Sequence, residues 1–208
     1  MVIDPDVIKY LILSGLGLLV FLLYRPHRVR KAKFFDELRA QYGAKVGMVY
    51  ARFGFKGYSF TVSAPAMSPT ESHVKILVNS PRSLIGSVAF YPKVFGQITI
   101  PTSLWELNEA TTVESESVEF RARTDNPETI QRLRSKKEIW ARIPLLILQS
   151  QVGMIMVDAR RKRLTLKGLN LEWVMHSPEI YFMLCCQILE ALDVSTDATE
   201  GPVATQTA

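Results

Sequence analysis

Tyr58-Ser59-Phe60-Thr61-Val62 and, a little further on, Val74-Lys75-Ile76-Leu77-Val78 alternate apolar with polar side chains. Period two puts one set of side chains on each face of a strand. Strands of this kind are half-buried and antiparallel, with one face on a core and the other open. Turn signals punctuate them at Gly54 to Gly57, Ala64 to Thr70 and Asn79 to Arg82. A further strand is expected near Leu84 to Tyr91, another at Gln97 to Ile100, and a short helical turn at Leu104 to Ala110.

Towards the C-terminus the pattern becomes mixed. Val118-Glu119-Phe120-Arg121 reads as a strand, and Thr124-Asp125-Asn126-Pro127-Glu128 starts a helix with a polar cap, an early proline and an early acid. A second helix follows, with capping-box spacing at Ser135-Lys136-Lys137-Glu138 and apolar residues Ile139, Trp140, Ile143, Leu146 and Ile147 at helical period. Pro144 should kink or break it. Val152 to Val157 and Leu164 to Leu166 form a hairpin around Asp158 to Arg163. A last helix, capped by Ser177, runs from Pro178 to Asp193, and Ile180, Met183, Leu184, Ile188, Ala191 and Leu192 are expected to face the sheet. Trp105, Trp140 and Trp173 are expected in the core, and the tail from Val194 to Ala208 is expected to be disordered.

The N-terminal segment has a different character. Val7 to Tyr24, VIKYLILSGLGLLVFLLY, carries one charge, and eighteen residues of helix cover about 27 Å of a hydrocarbon core of about 30 Å. The sequence therefore predicts a single transmembrane helix over 7–24, with a short extracytoplasmic N-terminus over 1–6. Lys9 snorkels from its first turn, and Tyr10 and Tyr24 flank it. Ser14, Gly15 and Gly17 give one side small residues, which either admit close approach of another helix or reflect only how common glycine is in membrane helices. Arg25, Arg28, Arg30, Lys31 and Lys33 follow the span, so the positive-inside rule predicts N-out, C-in orientation at the plasma (inner) membrane. Residues 25–43 make a basic juxtamembrane helix ending at Gly43; its cations, with Phe34 and Phe35, either lie on the membrane surface or pack onto the domain of residues 44–193. The fold class is thus α+β: a transmembrane helix, then a mainly antiparallel sheet packed by C-terminal helices.

Charge narrows the function classes. The chain of 208 residues carries a formal +5, but residues 1–33 hold six cations against Asp4 and Asp6, leaving +1 for the rest. That distribution is a flank of the apolar segment and not a groove-sized footprint, so no nucleic-acid partner is expected. Cys185 and Cys186 are adjacent in an apolar helical run and read as small buried hydrophobes. His27, His73 and His176 have no metal-ligand spacing, and no nucleophile elbow, phosphate loop or dinucleotide fingerprint occurs. No catalytic residue, cofactor or metal is expected. Two basic clusters remain: Arg132, Arg134, Lys136 and Lys137 at a helix junction, and Arg160, Arg161, Lys162 and Arg163 at the hairpin tip.

The run FRARTDNPETIQRLRSKKEIW, then RRKRLTLKG and SPEIYFMLCCQILEAL, resembles uncharacterised bacterial single-pass membrane-anchored proteins with a cytoplasmic α+β domain, over about residues 116–192. The resemblance implies an aromatic strand, an Asp/Asn-Pro-Glu helix start, a hairpin and a closing helix, and it carries no functional residues. Together these features lead to the expectation of a noncatalytic membrane-anchored accessory or scaffold subunit, with the lipid bilayer and membrane proteins as partners. The alternative is a peripheral anionic-lipid or ligand-binding sensor.

Overall fold

Strands that alternate must build a sheet with two unlike faces, and the computed structural model, which describes residues 5–64, 73–92, 108–114, 119–148 and 153–194, shows what covers each. Its strands are β1 (Lys45–Val46), β2 (Tyr50–Phe55), β3 (Tyr58–Ser63), β4 (His73–Asn79), β5 (Val88–Pro92), β6 (Asn108–Glu114), β7 (Glu119–Thr124), β8 (Met154–Asp158) and β9 (Arg163–Asn170). They form one sheet in the order β1-β2-β3-β4-β9-β8-β5-β7-β6, every pairing antiparallel. The helices are α1 (Pro5–Tyr42), α2 (Pro127–Ser135), α3 (Lys137–Leu148), α4 (Leu171–His176) and α5 (Pro178–Ala191). The α+β class and the antiparallel sheet stand as the alternation implied.

The core lies between one sheet face and the helices. Phe60, Val62, Val74, Ile76, Val78, Phe90, Phe120, Ile155, Leu164 and Leu166 from the strands meet Phe34 and Leu38 of α1, Leu133 of α2, Ile143 and Ile147 of α3, and Phe182, Cys185 and Ile188 of α5. Two aromatic groups anchor it. Phe182 stands 5.1 Å from Phe53, 5.2 Å from Phe60 and 5.5 Å from Tyr42, measured between ring centroids, while Trp140 lies 6.0 Å from both Phe90 and Phe120. Such pairs add about 0.5–1.5 kcal/mol each beyond the area they bury.

Local chemistry sets the connections. Lys56 and Gly57 both take positive φ, +48° and +80°, the two-residue hairpin turn that matches strand twist and favours glycine. Asn126 caps α2 by accepting from the Glu128 N–H at 3.1 Å, with Pro127 in the first turn. The β4–β9 register jumps between Val74, opposite Leu169, and Ile76, opposite Leu166. Lys167 and Gly168 therefore both oppose Lys75 in a bulge that Gly168 accommodates at φ +76°.

The expectation of a transmembrane span over 7–24 is corrected. Among the described residues no helix is long and apolar enough to cross a membrane. Length and apolarity have to coincide over about 20 residues for a span. Here α1 runs unbroken from Pro5 to Tyr42, past Lys9, Ser14, Gly15 and Gly17, through the cations from Arg25 to Lys33 and into the core at Phe34. With no span, the N-out orientation, the single-pass description and the inner-membrane localisation lose their basis.

Smaller corrections follow from packing. Asn108 to Ala110, expected in a helical turn, belong to β6, because pairing with β7 satisfies their backbone; the rest of that turn and the expected strand at Gln97 to Ile100 lie outside the described residues. Ser135 does not cap α3: it ends α2, and its hydroxyl donates to the Arg132 carbonyl at 2.7 Å. Helix α3 continues through Pro144. Ser177 makes no side-chain cap bond to α5. Ile180 is 56% exposed and Trp173 45% exposed, since the buried face of α5 is centred on Tyr181, Cys185 and Ile188, and Trp173 lies on the outer side of the unexpected α4. Trp105 and the tail beyond Val194 lie outside the described residues.

Candidate functional site

The residues singled out from sequence do not converge. Ser14, Gly15 and Gly17 are exposed on α1, and a side chain built at either glycine meets nothing within 4 Å. Around them Tyr10, Ile12, Leu13, Leu16, Leu18 and Leu19 are 55–75% exposed. Of the expected membrane-surface residues, Phe34 and Phe35 are buried to 1% and 3% exposure in the core, so they hold α1 to the sheet and are not available to lipid. Arg30 pairs with Glu172 of α4, Lys33 with Glu37, and Lys31 lies over the Phe35 ring, its pKa lowered by burial and by Arg28. Arg25 and Arg28 are exposed.

The basic clusters divide in the same way. Arg132 bonds Glu128 and the Asp193 carbonyl, and Arg134 stacks over Trp140 at 5.1 Å. Arg160, Arg161 and Lys162 are exposed at the β8–β9 turn, where Asp158 accepts from the Arg161 N–H at 3.0 Å. Arg163 is different: it begins β9, is half-buried and turns away from the core.

That position leads to the surface sequence reasoning missed. Since Leu164, Leu166 and Leu169 enter the core, Arg163, Thr165 and Lys167 occupy the other face of β9. By the same parity that face carries Arg52 of β2, Lys75 of β4, Arg121 and Arg123 of β7, and a second buried cluster of Ala89, Tyr91, Met154 and Met156. Asp158 is its acid among the described strand side chains. The register sets Lys75 against the Lys167-Gly168 bulge, Lys167 against Met154, Thr165 against Met156, Ala89 against Arg123, and Tyr91 against Arg121. An apolar strip in the middle of the face is thus flanked by cations on both sides. Burial first, and then the charges of Lys167 and Arg163, lower the Lys75 pKa. The signal was present in HVKILVN, EFRART and RLTLKGLN, whose alternation positions include Lys75, Arg121, Arg123, Arg163 and Lys167.

Other ionisable groups are engaged in structural bonds. Asp193, 1% exposed, accepts from Arg82 at 2.7 Å and closes the C-terminal end of the domain onto the β4–β5 loop. Asp125 accepts from the Ser87 N–H at 2.6 Å, and Thr124 donates to the Ser87 carbonyl at 2.8 Å. Burial pushes the Cys185 thiol well above its ordinary pKa, and burial with Glu190 pushes Cys186 up to about 11, so both stay protonated thiols. Among the described residues no group of three His, Cys, Asp or Glu side chains is placed to hold a metal ion.

No protein-family model matches the chain, and no curated protein matches it. Among solved structures, the crystal structure of the mycobacterial trehalose monomycolate transport factor A, TtfA, is similar at a TM-score of 0.44 and 8% identity, covering 78% of this chain and 89% of that one.

Proposed function

We propose that the protein is a noncatalytic accessory or scaffold subunit of a larger protein assembly, and that the N-terminal half of α1 is its docking element. The observation that carries this reading is the exposure of Tyr10, Ile12, Leu13, Leu16, Leu18 and Leu19 on the N-terminal part of a helix that is tied to the domain further along, by the Arg30–Glu172 pair and by the burial of Phe34, Phe35 and Leu38. Contiguous exposed apolar surface of this kind marks an interaction site. A noncatalytic role is supported by the tasks of the reactive groups: both thiols are buried and held protonated, and Asp125 and Asp193 tie loops together. Purification from the native cell extract in mild detergent tests the proposal. A photo-cross-linker at Leu16 is expected to capture a protein partner, and Leu13→Glu in the same cross-linker-bearing chain is expected to abolish that product while leaving the melting temperature unchanged. Migration of the wild type as a lone monomer, with no cross-linked product, overturns it.

A further inference from the structure

The sheet face turned away from the core helices holds three cations that share one neighbourhood. Lys75 and Lys167 face each other across the β4–β9 bulge, and Arg163 begins the same strand as Lys167. All three are half-buried. Among the described residues none of them has an ion-pair partner; Asp158, across from Arg163, is occupied by Arg161. The Arg163 Nε is a buried donor with no acceptor. Like charges held together and partly desolvated are costly unless an anion joins them, and an unmet donor beside them calls for an acceptor.

We infer that Lys75, Lys167 and Arg163 form a binding site for a phosphate-type oxyanion on the face of the sheet turned away from the core helices. A guanidinium fork and two ammonium groups match a doubly charged oxyanion, whose oxygens accept from all three, whereas a lone carboxylate neutralises only one. The repulsion from Lys167 and Arg163, which adds to burial in lowering the Lys75 pKa, is relieved when the anion binds. The site extends the accessory role without depending on it, because α1 takes no part.

The full-length chain is titrated at low salt with inorganic phosphate, with glycerol 3-phosphate, and by flotation with phosphatidylcholine vesicles containing or lacking phosphatidic acid. The expected result is saturable binding in at least one phosphate arm, weakened tenfold or more in Lys75→Gln/Lys167→Gln and in Arg163→Gln. It should persist in Lys33→Gln, which removes a cation far from the face. Binding of the soluble phosphates identifies a free ligand, and binding confined to acidic vesicles identifies a headgroup. Phosphate should also raise the melting temperature of the wild type more than that of the double variant. Removing a repelling charge should leave the ligand-free double variant at least as stable as the wild type, which separates lost binding from lost folding. Absence of binding in every arm, or equal binding by the wild type and the folded double variant, overturns the inference.

Discussion

A single methyl group at Gly86 tests the junction that ties the β4–β5 loop to the start of α2. Built on the backbone, that methyl stands 2.4 Å from Thr129 Oγ1, 2.8 Å from Asn126 Cβ and 3.0 Å from Asp125 Oδ1. Comfortable carbon contacts need about 3.5–4.0 Å. The neighbours have little room to retreat. Asp125 accepts from the Ser87 N–H at 2.6 Å, and Asn126 both accepts from the Glu128 N–H and donates to the Ile85 carbonyl at 3.2 Å. Gly86→Ala must therefore shift the loop or break one of these bonds. Overpacking costs about 1–3 kcal/mol and a lost hydrogen bond about 1 kcal/mol more, for a total of about 2–4 kcal/mol. At about 2–4 °C per kcal/mol for a chain of this size, Tm falls by about 4–16 °C. Urea denaturation measures it, with a lower midpoint and an unchanged m-value. The double variant Gly86→Ala/Thr129→Ala, which deletes the nearest clashing atom, should be less destabilised than the sum of the single changes by at least about 0.5 kcal/mol. A Gly86→Ala midpoint within error of the wild type, or strict additivity in the double variant, refutes the close-approach argument.

Phe182→Ala removes the ring on which Tyr42, Phe53 and Phe60 converge, and should cost about 3–5 kcal/mol by chemical denaturation; a loss under about 1 kcal/mol would move the aromatic centre elsewhere. The native thiols should resist labelling by an aromatic disulfide reagent at pH 8 and react once the chain is unfolded, because Cys185 and Cys186 are both buried. Their raised pKa values also fix a pH window. Unfolded thiols ionise near about 8.5. Above that pH the unfolded chain has released protons that the native state still holds, so the contribution is present in full below about pH 8.5 and declines as pH rises toward about 11, the Cys186 value. The urea midpoint should fall across this range, and Cys186→Ala should flatten the fall; a midpoint that rises with pH contradicts the burial.

Elements whose identity depends on local pattern were legible in the sequence. The strands at Tyr58–Ser63 and His73–Asn79 follow from alternation, the Asn126-Pro127-Glu128 helix start from capping chemistry, and the β8–β9 hairpin from its basic turn. The binding surface was not, because it is assembled from strands far apart in sequence. Lys75, Arg121, Arg163 and Lys167 look like ordinary solvent-facing residues until strand order places β4 beside β9 and β5 between β8 and β7. The choice left open for the juxtamembrane helix was decided for a related reason. Phe34 and Phe35 beside cations suit a lipid surface as well as a core, and only their burial to 1% and 3% exposure distinguishes the two.

The sequence by itself determined the α+β class, the antiparallel alternation and the buried character of the α5 thiols, because period, cap and turn residues act over a few positions. Only the tertiary structure decided that α1 enters the core at Phe34, that Trp173 and Ile180 face outward, and that cations from three strands border one apolar strip. Register and strand order arise from the competition of all the apolar faces for one core, a quantity that no single segment contains.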